Sequence, residues 1–297
     1  MDFGRMLTAM VTPFDEEGRL SLPMATNLIH HLLDNGSDGI VVAGTTGESP
    51  TLTAEEKLEL FAHVVKTVNG RAKVIVGTGS NNTSQSVAFS KQAAALGVDA
   101  IMAVAPYYNK PGQQGLYAHF AAIAAAVDVP VMIYNIPSRS KVNITAETII
   151  RLSTINNIVA VKEASGDLDQ MAEIISGTNA NFHLYSGDDG LTLPVLAIGG
   201  QGVISVASHV IGPEMKQMIT AFLAGETERA AAMHRAMLPF MRALFAEPSP
   251  SPVKAMLNDR GIAVGGVRLP MVPISTIERE LLQHTYKSVS CAQKLFV

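Results

Sequence analysis

The sequence predicts an α/β protein: a (β/α)8 barrel followed by a C-terminal helical extension. Three observations carry that expectation. Eight short apolar runs alternate with amphipathic segments at regular spacing. The runs are almost continuously apolar, as strands of a parallel sheet are when both faces are covered. The length of 297 residues lies within the usual span of one such barrel. An open doubly wound sheet would want a glycine-rich dinucleotide turn after its first strand, and Thr12-Pro13-Phe14-Asp15 is not one.

The first strand is expected at 7–11 and its helix at 23–34. The second strand, 39–42, leads to a helix at 54–68 that Thr53 caps ahead of Ala54-Glu55-Glu56. Strands at 74–77, 100–105 and 131–134 pair with helices at 84–96, 115–127 and 146–152, the last capped by Thr145. Strands at 159–161 and 182–185 pair with helices at 168–176 and 191–197, and the eighth strand is expected at 202–206. Beyond Ser208 the pattern is wholly helical, at 214–223, 226–246, 251–260 and 275–284. The first of these completes the barrel, giving a catalytic unit at 1–225 and an extension at 226–297. Pro248, Pro250 and Pro252 form a rigid turn within the extension, and residues 288–297 show no pattern.

Apolar residues make up 47% of the chain, which places it among globular proteins. A formal charge of −4 without a Lys/Arg cluster gives no footprint for nucleic acid. No apolar run reaches ~18 residues without a charge or turn, so no membrane span is expected. Met1-Asp2-Phe3-Gly4-Arg5 lacks a signal pattern, and one cysteine, Cys291, excludes an internal disulfide framework. Both point to the reducing cytoplasm.

Chemistry in this fold gathers at the C-terminal ends of the strands, and the polar residues fall there strand after strand. Lys162 is the most informative. It follows the buried run Ile158-Val159-Ala160-Val161. Burial disfavours its ammonium form, and a neutral amine attacks carbonyl carbon to form a Schiff base. Read alone, Lys162 also fits a lysine whose charge snorkels out or pairs with Glu163. Gly44-Thr45-Thr46-Gly47-Glu48 offers hydroxyls and backbone N–H groups as a compact carboxylate receptor. Tyr134 is a phenol able to relay protons, or a barrel-core aromatic. Tyr107-Tyr108 lies on a loop and suits a site or an interface. Arg139, in a turn after Pro137, suits a second carboxylate, or simply the surface. Asp188 and Asp189 have no histidine or further carboxylate at ligand spacing, so supporting polar roles are expected and no metal.

These residues together resemble the dihydrodipicolinate synthase family, within the pyruvate-dependent class I aldolases that include N-acetylneuraminate lyase. The similarity runs from Leu7-Thr8-Ala9-Met10 to Leu269-Pro270-Met271-Val272-Pro273-Ile274. Its most specific parts are Gly44-Thr45-Thr46-Gly47-Glu48, Pro106-Tyr107-Tyr108-Asn109-Lys110-Pro111, Tyr134-Asn135-Ile136-Pro137-Ser138-Arg139, Lys162-Glu163-Ala164-Ser165-Gly166, Ser186-Gly187-Asp188-Asp189 and Gly202-Val203-Ile204-Ser205-Val206. The resemblance implies a TIM barrel and an imine between Lys162 and pyruvate. It makes Tyr134, Thr45 and Tyr108 a proton relay, with Tyr108 reaching into a neighbouring subunit's site. Thr46 would hold the pyruvate carboxylate, Arg139 the carboxylate of L-aspartate 4-semialdehyde, and Gly187 and the Ile204 carbonyl would line the pocket. It implies a homo-oligomer, a tetramer or dimer, and no cofactor, because the imine is the electron sink.

Two departures stand out. The arginine motif usually continues Thr-Gly and here reads Ser140-Lys141. Feedback-inhibited members bind lysine with a histidine and a glutamate where this chain has Lys57 and Gln85. The sequence leaves open a related aldolase acting on a sugar-acid or other aldehyde, and an inactive barrel used for binding.

Overall fold

Eight strands hydrogen-bond in chain order, all parallel, and the last pairs with the first: β1 (Met6–Ala9), β2 (Gly39–Val42), β3 (Lys73–Gly77), β4 (Ala100–Val104), β5 (Val131–Asn135), β6 (Ile158–Glu163), β7 (His183–Ser186) and β8 (Gly202–Ser205). The computed structural model describes residues 2–291. The expected fold is present, with every strand where its apolar run lies. Between strands run α1 (Leu22–Asp34), α2 (Ala54–Val68), α3 (Thr83–Ala94), α4 (Gln113–Ala124), α5 (Pro137–Ser140), α6 (Ala146–Leu152), α7 (Leu168–Gly177) and α8 (Thr192–Ala197). After β8 come α9 (Ser208–Leu223), α10 (Thr227–Ala243), α11 (Ser251–Asp259) and α12 (Thr276–Cys291).

Local chemistry sets the helix starts. Thr53 and Glu56 form a reciprocal capping box on α2, and Thr145 accepts from the Thr148 N–H to start α6. Three elements differ from expectation. The turn carrying Arg139 is a one-turn helix, α5, which opens with Pro137. The helix expected at 214–223 begins at Ser208, because a kink at Ile211 lets Pro213 start its second part. Residues 288–291, read as patternless, complete α12, whereas 292–297 lie outside the described residues.

Alternation along each strand separates two cores. Leu7, Val41, Ile75, Met102, Met132, Tyr185 and Ile204 point into the barrel. Ile40, Val76, Ile101, Ile133, Leu184 and Val203 point outward against the helices. On β6 the alternation breaks. Val131 pairs with Ile158 but Met132 pairs with Ala160, so the ladder skips Val159. Counted from Ile158 without that skip, Lys162 would fall on the outer face. With it, Lys162 points inward opposite Tyr134, and Glu163 points outward opposite Asn135. Among the described residues no helix is long and apolar enough to cross a membrane.

Candidate active site

The C-terminal ends of the strands open into a cavity of 340 Å³, lined by Gly44, Thr45, Lys57, Tyr107, Tyr134 and Arg139 among others. Lys162 lies beneath it, 6% exposed, with Nζ 4.4 Å from the centroid of the Tyr134 ring. Among the described residues that amine has no hydrogen bond and no ion pair. Burial pushes it down to about 8; the Arg139 charge adds to the fall and the Asp189 carboxylate opposes it. At neutral pH a far larger fraction is neutral than for an exposed lysine.

Glu163 does not pair with it. On the far side of the barrel wall its carboxylate accepts from Asn135 Nδ2 at 3.0 and 3.1 Å, the Ser165 N–H at 2.8 Å and Gln170 Nε2 at 3.2 Å. Burial raises its pKa, and these donors pull it back. The reading of Lys162 as half of an ordinary ion pair with Glu163 therefore fails.

Tyr134 is buried, which pushes its phenol up, while a hydrogen bond with the Thr45 side chain and the Arg139 charge pull it back. Thr45 thus connects the phenol to the turn after β2. That turn closes through Glu48 N–H to the Thr45 carbonyl at 3.1 Å and Ser49 N–H to the Gly44 carbonyl at 3.3 Å. Among the described residues the N–H groups of Thr45 and Thr46 donate to nothing, which leaves two adjacent donors for a carboxylate. Gly47 is required there, because a Cβ would lie 3.0 Å from Ala43 Cα and 3.1 Å from the Met10 carbonyl. Sequence reasoning missed Thr12, whose hydroxyl donates to the Gly47 carbonyl at 2.6 Å.

Arg139 stands exposed at the cavity mouth and, among the described residues, makes no ion pair. Ser140 is buried, its hydroxyl bonded at 2.9 Å to the carbonyls of Ile136 and Val142. It shapes the loop rather than facing the cavity. Lys141 adopts φ +58°, a left-handed conformation natural to glycine. Gly187 packs directly on the lysine, where a Cβ would come within 3.2 Å of Lys162 Cε and 2.7 Å of Ala164 Cβ. Ile204 points into the barrel core one strand further on. Asp189 is buried, accepts from the Val206 and Ala207 N–H groups at 3.0 and 2.9 Å, and ties the end of β7 to that of β8. Thr46 is buried and outside the cavity lining, and Tyr108 lies apart from it, 89% exposed at φ +72°. The structure therefore brings Thr45, Tyr134, Arg139, Lys162 and Gly187 together, and leaves Tyr108 outside.

Residues 2–289 match the family model described as the dihydrodipicolinate synthetase family. The chain is 61% identical over 283 residues to 4-hydroxy-tetrahydrodipicolinate synthase 2 of Halalkalibacterium halodurans, covering 95% of this chain and 97% of that protein. It is similar to the crystal structure of a dihydrodipicolinate synthase from Bacillus anthracis, with a TM-score of 0.96 and 54% identity over 97% of this chain and 99% of that one. The enzyme from Cyanidioschyzon merolae, solved with lysine bound, superposes with a TM-score of 0.95 at 49% identity, over 97% of this chain and 98% of that one.

Proposed function

The chain belongs to the dihydrodipicolinate synthetase family, and from that membership we propose that it condenses pyruvate with L-aspartate 4-semialdehyde through an imine on Lys162. The observation that carries the assignment of the nucleophile is the amine of Lys162, buried, without a hydrogen bond or ion pair among the described residues, and pushed down to about 8, against the ring of Tyr134. The product is 4-hydroxy-tetrahydrodipicolinate, made for diaminopimelate and lysine biosynthesis.

Pyruvate enters the cavity with its carboxylate on the N–H groups of Thr45 and Thr46. Lys162 Nζ attacks the ketone carbon. Tyr134, bonded to Thr45, passes protons to the carbinolamine oxygen, which leaves as water. Loss of a methyl proton gives the enamine, whose carbon attacks the aldehyde of the second substrate, held by Arg139 through its carboxylate. The amine of that substrate then adds to the imine carbon, closes the ring and releases Lys162. One water leaves for each product formed. Gly187 and the Ile204 carbonyl shape the wall beside the lysine.

We assign 1–225 to the catalytic barrel and 226–297 to the helical extension, and place the protein in the cytoplasm. The exposed Tyr108 supports a homo-oligomer, dimer or tetramer, in which Tyr108 completes the relay of a neighbouring subunit.

Borohydride reduction in the presence of pyruvate tests the assignment. Intact mass and peptide mapping are expected to show one three-carbon adduct on Lys162. Labelling at another lysine, or at none, would overturn it.

A further inference from the structure

Two charges that the reaction does not use lie buried side by side. Lys254 Nζ, on α11, is 2.8 Å from Glu48 Oε1, and the side chains are 2% and 1% exposed. A buried ion pair of this kind is seldom the most stable solution, since an apolar pair of similar size commonly folds at least as well. Glu48 carries a second penalty. Its φ is +54°, a left-handed conformation unfavourable for a residue with a Cβ. Two penalties at one residue, in the turn that offers Thr45 and Thr46 to the substrate, call for a compensating role.

The contacts show what is held. Lys254 also donates to the Gly266 carbonyl at 2.5 Å, and the Arg268 N–H donates to Glu48 Oε2 at 2.9 Å. The Arg268 guanidinium reaches the Thr51 carbonyl at 2.9 Å, the Gly18 carbonyl at 2.8 Å and Glu56 at the start of α2. Both cations lie against Phe14, Lys254 Nζ and Arg268 Cζ each 4.2 Å from its ring centroid. The extension therefore grips the segment from Glu48 to Glu56 from outside, while the Glu48 N–H closes the turn on the Thr45 carbonyl from inside.

We infer that Lys254, Glu48 and Arg268 are positioning residues for the pyruvate carboxylate: they clamp the turn after β2 so that the donors of Thr45 and Thr46 are fixed before substrate arrives. The inference rests on the reading of that turn as the pyruvate receptor. None of the three touches substrate. Their effect is on how much pyruvate is needed, because a receptor displaced by a fraction of an ångström loses donor alignment while Lys162, held by β6, keeps its place.

The test removes both charges together, as Glu48→Gln with Lys254→Met, so that no lone ion stays buried. The readout is the pyruvate concentration that half-saturates borohydride trapping, with melting temperature followed in parallel. A rise of about tenfold is expected, with the trapping rate at saturating pyruvate retained. An unchanged half-saturation in a folded variant, or a fall in saturated rate alone, overturns the inference and leaves the proposed function standing. A parent protein that pyruvate does not label overturns both. Should the double variant not fold, Arg268→Met, at a half-buried position, is the second variant: it is expected to raise half-saturation by about threefold, and no rise overturns the clamp.

Discussion

Tyr134 and Lys162 are direct partners across the β5–β6 ladder, and the amine of one lies 4.4 Å from the ring centroid of the other. The ring face attracts the ammonium form, whereas burial disfavours it, and burial wins, leaving the amine at about 8. Since the neutral amine is the nucleophile, trapping at limiting pyruvate should rise with pH by about tenfold per unit and level off above about 8. A profile flat from pH 6 to 9 would contradict this. Tyr134→Phe keeps the ring and loses the hydroxyl, so the expected loss is the proton transfer alone, about 10²–10⁴ in turnover. Steady-state kinetics on the purified variant measure it.

Arg139→Ala should spare imine formation and impair condensation. A charge-assisted carboxylate contact is worth about 1.5–3 kcal/mol, or roughly ten- to a hundredfold in kcat/KM for the aldehyde substrate. Equal losses in trapping and in condensation would instead make Arg139 structural.

Lysine should inhibit weakly or not at all. Lys57 and Gln85 line a second cavity of 350 Å³ beside the first, so the acidic side chain of the lysine-binding pattern is missing and a basic one stands in it; burial lowers the pKa of Lys57. An incoming ammonium at 4 Å meets about 1 kcal/mol of repulsion in water and about 4 kcal/mol at an effective dielectric of 20. Turnover in millimolar L-lysine checks this, and strong inhibition below millimolar concentration would contradict it.

The active form should be larger than a monomer. Tyr108 is 89% exposed in the isolated chain and is not among the residues that line the cavity its role requires. Light scattering on active protein is expected to give a dimer or tetramer. Full activity in a monomer would remove Tyr108 from the relay.

Acid should destabilise the fold through His209. Its Nδ1–H donates to the Val206 carbonyl at 2.8 Å and its Nε2 accepts from the Val11 N–H at 3.2 Å, which fixes a neutral ring. Burial pushes it down to about 4 from 6.5. The unfolded chain takes the proton first, so stability is complete above pH 6.5 and falls as pH drops toward 4, by about 3 kcal/mol. Urea unfolding across that range measures the slope. His209→Gln should flatten it relative to the parent.

The fold was legible because each strand is a compact apolar run and each turn between elements carries its own stop signals. The candidate site was legible for a similar reason: Lys162 and Tyr134 lie near the ends of β6 and β5, and Thr45 and Arg139 follow the ends of β2 and β5 within a few residues. Two things were not legible. The inward direction of Lys162 depends on the skipped Val159, and a uniformly apolar strand gives no alternation from which to count. Lys254 and Arg268 lie more than 200 residues along the chain from Glu48, in a stretch that reads as a plain amphipathic helix and a loop. Only the folded chain brings a charge from there to the turn after β2.

The solitary amine of Lys162 also sets a limit on engineering. A carboxylate introduced beside it, at Ala164 for example, would pair a buried cation and restore its proton. The ion pair would offer no assured gain in stability, while the share of neutral amine at neutral pH would fall and imine formation would slow. In this barrel, chemical competence depends on what is kept away from one nitrogen atom.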